Sequence, residues 1–320
     1  VSNPYKAIFA TSGTKGFAAA AFVARLPVAL APIGIVPMLS QSRGEYWLAG
    51  AVAATFALAN AIAAPQVSRL VDRWGQFRLL IPTTALSVAA FTLLMIASHR
   101  QWPAWTLFVT ALLAASMPSM SAMVRARWTE MFRGQPELNT AFAFESAADE
   151  LVYIAGASLS VGLSVGMFPE AGVLASTLLL AMGTAAFVSQ RSTEPSLRPH
   201  ESGSHSSAIL LRPIQLLTSV MIFVGAIFAT AEVSVVAITR ELGQADAASF
   251  IIGVYAAGSF IVGVIIGGLK LRVALARQLL FAIGALLITT APLLLADTVP
   301  LLAFTIFLSG IAVSPTFAQD

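Results

Sequence analysis

Ser68, Arg69, Leu70, Val71, Asp72, Arg73, Trp74, Gly75, Gln76, Phe77 and Arg78 form a short basic stretch between two blocks, about 46–68 and 78–97, that carry almost no other charge. Each block has the roughly 20 apolar residues a helix needs to cross about 30 Å of hydrocarbon. A polar turn between two such blocks describes an antiparallel pair of membrane helices, and Gly75 permits a tight reversal. The same alternation repeats in both directions. Apolar blocks fall at about 16–39, 46–68, 78–97, 102–123, 139–165, 170–189, 213–239, 247–269, 276–296 and 299–318. Over all 320 residues, 58% are hydrophobic and 10% charged, where a soluble domain carries about a quarter charged residues. The expected fold class is an all-α integral membrane protein. The first block is longer than a signal-peptide core and has many successors, so it reads as a retained span.

One polar segment interrupts the pattern. Residues 190–212 are rich in Ser, Pro and charge and lack apolar periodicity, which marks a linker. The expected organisation is therefore a six-helix bundle (1–189), a linker (190–212) and a second bundle holding spans 7–10 (213–320). Counting Lys and Arg on alternate sides of the membrane gives orientation. Of the 18 basic residues, only Arg43, Arg100 and Arg240 fall on one side; Arg25 lies within a span, and all the others fall on the opposite side. That places the N-terminus and linker in the cytoplasm of a multi-pass plasma-membrane protein. The two halves echo one another: basic loops follow spans 2 and 8, and Ser/Pro runs mark span 4 (Ser116, Pro118, Ser119) and span 10 (Ser314, Pro315). Repeats of this kind build many transporters, and a second half matching the first would bring the chain to roughly 400 residues, so we expect a chain cut short after span 10.

Leu70, Asp72, Arg73 and Gly75 stand in the order and spacing of the signature between spans 2 and 3 of the major facilitator superfamily, and the loop resembles it; Ser68 replaces the usual Gly, and Gln76 and Phe77 replace a basic pair. The resemblance implies a major facilitator fold, here a six-helix bundle plus four of the six helices of the second. It also implies that this loop is a conformational latch of Asp72, Arg73 and Gly75, whose Asp engages a helix N-terminus and nearby arginines in the outward-closed state. A carboxylate beside a helix N-terminus gains from the helix dipole.

Charged residues inside spans are costly and should face a bundle interior or a watered path. Span 5 contains Glu145, Asp149 and Glu150. The first two share a helix face, and Glu150 is turned by about 100°. Glu145, nearest the cytoplasmic side, is expected to reach interfacial water, Arg125 or Arg127. Asp149 and Glu150 lie deeper, where a structural pair, a proton site and a substrate site are all open readings. Arg25 in span 1 needs a buried partner, and Asp149 or Glu150 is at matching depth. Glu232 in span 7 fits substrate or proton binding, or a structural hydrogen bond. Pro27, Pro32 and Pro37 should bend span 1. Gly156, Gly162 and Gly166 weakly resemble a glycine-rich antiporter signature, with Gly156-Ala157 in place of its Gly-Pro pair.

With no cysteine, and with His99, His200 and His205 outside the spans, neither a thiolate nor a membrane-embedded histidine metal site is available. The sequence holds no P-loop, HExxH or Ser/His/Asp arrangement and no nucleic-acid module, so no enzyme activity, cofactor or nucleic-acid partner is expected. The reading is a monomeric secondary carrier in the lipid bilayer, exporting small amphipathic molecules in exchange for protons. An uptake symporter or uniporter for a polar metabolite is the alternative, ahead of a transporter-like sensor or embedded enzyme.

Overall fold

The computed structural model describes residues 4–197, scattered positions from 211 to 262, and 275–317. The chain divides into two compact units, Val1–Leu197 and Arg198–Asp320. The boundary falls inside the expected linker, so Gln190–Leu197 belongs to the first unit. Every regular element among the described residues is helical.

The first unit contains α1 (Pro4–Ile8), α2 (Thr14–Arg25), α3 (Pro27–Arg43), α4 (Tyr46–Trp74), α5 (Gln76–His99), α6 (Ala104–Ala114), α7 (Met120–Phe132), α8 (Glu137–Gly166) and α9 (Ala171–Ser189). Thr14–Arg43, Tyr46–Trp74, Gln76–His99 and Ala171–Ser189 are each long and apolar enough to cross a membrane. Large apolar side chains such as Leu58, Ile62, Leu93 and Met182 lie exposed on these helices. A bundle turning such residues outward is matched to lipid rather than water.

Two spans are broken. Span 1 divides at Leu26, where Pro27 lacks the N–H that would continue the ladder and opens α3 instead. Pro32 and Pro37 lie inside α3 without ending it, so of the three prolines only Pro27 marks a helix boundary. Span 4 is interrupted from Ala115 to Ser119. Its freed carbonyls are satisfied by a side chain: Asn60 Nδ2 donates to Ala115 O at 3.0 Å and to Met117 O at 3.3 Å. Irregular backbone at membrane depth survives only where such partners exist. The helix then resumes and runs to Phe132, well past the expected end at 123, because Val124, Trp128 and Phe132 bury one face of it in the core.

That core has two parts. One gathers Phe17, Ala21, Val71, Leu79, Trp128 and Phe187 at the end carrying the Asp72 loop. The other gathers Ile35, Met38, Val52, Phe56, Phe91 and Leu107 toward the opposite end. Arg25 lies on span 1 between them, since Ala24 belongs to the first and Val28 packs on the second. Close approach of helices fixes this level: a side chain on Gly183 of α9 would collide with the Ala24 backbone, and one on Gly156 of α8 with the Ala29 side chain.

The second unit includes α10 (Leu275–Thr290), a short 3-10 turn (Ala291–Leu295) and α11 (Val299–Phe317). Its core joins Val235, Ile251, Tyr255, Leu286, Leu302 and Ile306. The Ser314-Pro315 run lies within α11, whereas its sequence counterpart breaks span 4.

Candidate functional site

Four charged side chains meet at the level of the span 1 break. Arg25, last residue of α2, has a side chain 2% exposed, and its guanidinium binds two acids one turn apart on α8. Nη2 pairs with Glu145 Oε2, and Nη1 pairs with Asp149 Oδ1 at 2.8 Å. Nε donates back to Ala21 O at 3.3 Å, tying the group to its own helix. The i, i+4 spacing of Glu145 and Asp149 sets both on the face that meets α2.

The two carboxylates differ in access to water. Glu145 is fully buried, and its other oxygen accepts from Trp128 Nε1 at 2.6 Å. Trp128 lies in an aromatic layer with Phe17, Phe9 and Phe132, which keeps water from that side. Asp149 has a side chain 23% exposed and accepts from three residues on two helices: Arg25 of α2, and Ser121 Oγ at 2.7 Å and Arg125 Nη2 at 3.1 Å of α7. The Arg125 side chain is 36% exposed. Two guanidinium groups and two carboxylates therefore balance, with the Asp149–Arg125 half the wetter one.

This arrangement corrects one expectation. Glu145 does not take Arg125 or Arg127; it takes Arg25 and Trp128, because its face of α8 turns toward α2. Arg125 goes to Asp149 instead. Glu150 is half-buried and lies about 100° round the helix from Asp149. Glu232 lies outside the described residues. Gly162 and Gly166 have open space around them, and of the three span 5 glycines only Gly156 makes a tight contact. The sequence reading set Arg125 against Glu145 and not Asp149, and it missed Ser121 and Trp128, because it took span 4 as one unbroken helix ending at residue 123. The signal was present: Ser121, Arg125 and Trp128 follow at helical spacing once the break at Pro118 is taken as an interruption.

The Asp72 loop lies at one end of the bundle. Asp72 and Arg73 are exposed in the last turn of α4, and Gly75 joins α4 to α5 with φ 87°, a conformation that favours glycine. Gln76 and Phe77, which stand where the resemblance has a basic pair, receive cations from elsewhere. Arg127 Nε donates to Gln76 Oε1 at 2.8 Å, and the Arg191 guanidinium lies 3.3 Å from the centre of the Phe77 ring. Arg127 is buried beyond the apolar block of span 4; burial lowers its guanidinium to about 10, and the nearby Glu194 carboxylate opposes that shift.

Lipid-matched helices, two broken spans and a buried charge cluster beside those breaks define the class: an α-helical membrane transport protein. The profile of the Major Facilitator Superfamily matches residues 17–319, and the chain belongs to that family. It is a transporter by family, not an enzyme. No curated protein sequence matches it. Among solved structures, it is similar to a bacterial homologue of the iron transporter ferroportin in an outward-facing state, with TM-score 0.64, 14% identity, and coverage of 95% of this chain and 82% of that one. It is also similar to the human organic anion transporter MFSD10 (TETRAN), with TM-score 0.63, 14% identity, and coverage of 97% and 86%. At that identity both likenesses show the fold.

Proposed function

We propose that this chain is a proton-coupled secondary carrier for small amphipathic molecules bearing an anionic group, with Asp149 as the proton site. The observation that carries this reading is the partly exposed Asp149 shared between Arg25 and Arg125 in a cluster whose two positive and two negative charges cancel. A proton on Asp149 leaves the cluster with one excess positive charge and frees Arg125, the most accessible cation, to hold an anion. Binding of an anion to Arg125 in turn removes a cation from Asp149 and favours its protonation. Proton and anion therefore assist one another, which is the coupling that same-direction transport needs. Alternating access in repeated transporter folds comes from the rocking of one bundle against the other. The organic anion transporter among the similar structures has a compatible solute class.

Export in exchange for protons is the second reading. It is favoured by Gly156, which lets α8 approach Ala29 of span 1 closely within the segment that resembles an antiporter signature. The sign of proton movement separates the two. In vesicles holding the complete protein, a pH-sensitive dye is followed as candidate organic anions are added under a solute gradient. Protons moving with the solute support symport, and protons moving against it support exchange. In Asp149→Asn, proton movement should fall at least tenfold while the protein keeps its unfolding midpoint in detergent. Unchanged proton movement in that variant would remove Asp149 from the coupling mechanism.

A further inference from the structure

The residues after span 6 lie on the Asp72 loop. Gln190–Leu197, part of the expected linker, folds back against the end of the bundle and meets the loop at three places. Glu194 Oε1 accepts the backbone N–H of Phe77 at 2.9 Å, in the first turn of α5. That helix has Gly75 before it and no side-chain cap of its own. Arg191 stacks on the Phe77 ring. Arg127, 1% exposed, bridges the two segments: Nε binds Gln76, while Nη1 binds Gln190 O at 3.0 Å and Thr193 Oγ1 at 2.7 Å. Gln76 Nε2 in turn donates to Met123 O at 2.9 Å.

Gly75 has a second duty here. A side chain at this position would meet Glu194 Oε1 at 3.1 Å, besides being strained at φ 87°. The same glycine thus turns the chain and leaves room for the carboxylate that caps the next helix. Ser196 Oγ adds a bond to Glu130 Oε1 at 3.0 Å, holding the strap beyond Glu194 to α7.

We infer that Glu194 is a positioning residue for the Asp72 loop: with Arg127 and Arg191 it forms a strap that caps α5 from outside and fixes where Asp72 and Arg73 are presented. The functional meaning of the strap rests on the latch role proposed for Asp72. An acidic group at a helix N-terminus satisfies a free donor and opposes the positive end of the dipole. Here that group comes from a segment more than a hundred residues away in sequence, so any movement of Gln190–Leu197 is transmitted to the start of α5 and through Gly75 to Asp72. The strap therefore ties the segment after span 6 to the loop itself.

The test uses the complete protein in lipid nanodiscs, with hydrogen–deuterium exchange read on the segment from Asp72 to Leu80. Glu194→Ala should raise early exchange there at least threefold. Glu194→Gln, which keeps an oxygen to accept the Phe77 N–H but loses the charge, should raise it less, and Glu194→Asp less than Glu194→Ala. Exchange within α9 should stay unchanged in all three, showing that the bundle is intact. Unchanged exchange at the loop in Glu194→Ala overturns the inference. If that variant fails to fold, the Gln and Asp variants carry the same comparison. A second readout addresses the latch: spin labels, one on each bundle, report the balance of transport states in Asp72→Asn and Glu194→Ala. Shifts in the same direction support the strap acting through the latch. A shift in Asp72→Asn alone overturns the strap and leaves the latch standing, whereas no shift in Asp72→Asn removes the latch while the exchange result still decides the strap.

Discussion

Arg25 illustrates how one residue can organise a buried site. It is the sole basic residue in an expected span core, and its three nitrogens reach its own helix, Glu145 and Asp149. Deleting one partner of a buried ion pair leaves the other charge uncompensated and costs roughly 3–5 kcal/mol, whereas replacing both partners with apolar groups of similar volume is often near neutral. Arg25→Met should therefore lower folding stability by about that amount, read as the unfolding midpoint in detergent. Arg25→Met combined with Glu145→Met should regain more than half of the loss, since Asp149 keeps Ser121 and Arg125. A double variant no better than the single one would mean that Glu145 is compensated by groups other than Arg25.

At the scale of elements, the broken spans matter more than the regular ones. The interruption at 115–119 allows α7 to re-aim after α6, and the new direction sets Ser121 and Arg125 against Asp149. Asn60 stabilises this break by donating to two carbonyls the helix no longer uses. Asn60→Leu leaves both without that donor and should cost about 1–3 kcal/mol. Thermal unfolding in detergent would show the loss, and the proton-flux assay should show a reduced signal as well, because the break positions the Asp149 cluster. Loss of stability with full proton coupling would separate the break from the site.

For the whole molecule, the charge asymmetry of the loops predicts a topology. Arg69 lies in the basic stretch near the C-terminal end of α4 and Glu45 just before its N-terminal end, and both are exposed. Because the 320 residues contain no cysteine, single Cys substitutions in this chain report cleanly. In intact cells a membrane-impermeant maleimide should label Glu45→Cys and leave Arg69→Cys unlabelled until the membrane is opened. The reverse pattern would invert the orientation proposed from the basic residues.

Composition and block length suffice for the membrane class, because hydrocarbon permits few solutions: each backbone polar group must be satisfied within a helix, and each span must be about 20 apolar residues long. The Asp72 loop added the family, since its residues occupy a fixed place between two spans. The need for a partner to Arg25 was legible for the same reason, as a cation in lipid cannot stand alone. Asp149 was one of the two acids expected; that Glu145, and not Glu150, shares the guanidinium with it was not legible. That choice depends on how α8 packs on span 1, where Gly156 of α8 comes close to Ala29 of α3. The entry of Arg125 into the cluster depends on a helix break whose carbonyls are satisfied by Asn60, distant in sequence. The strap from Glu194 to Phe77 is likewise a meeting of segments far apart along the chain. Local pattern determines where a helix runs and what it must bury; the packing of one helix on another decides which side chains meet.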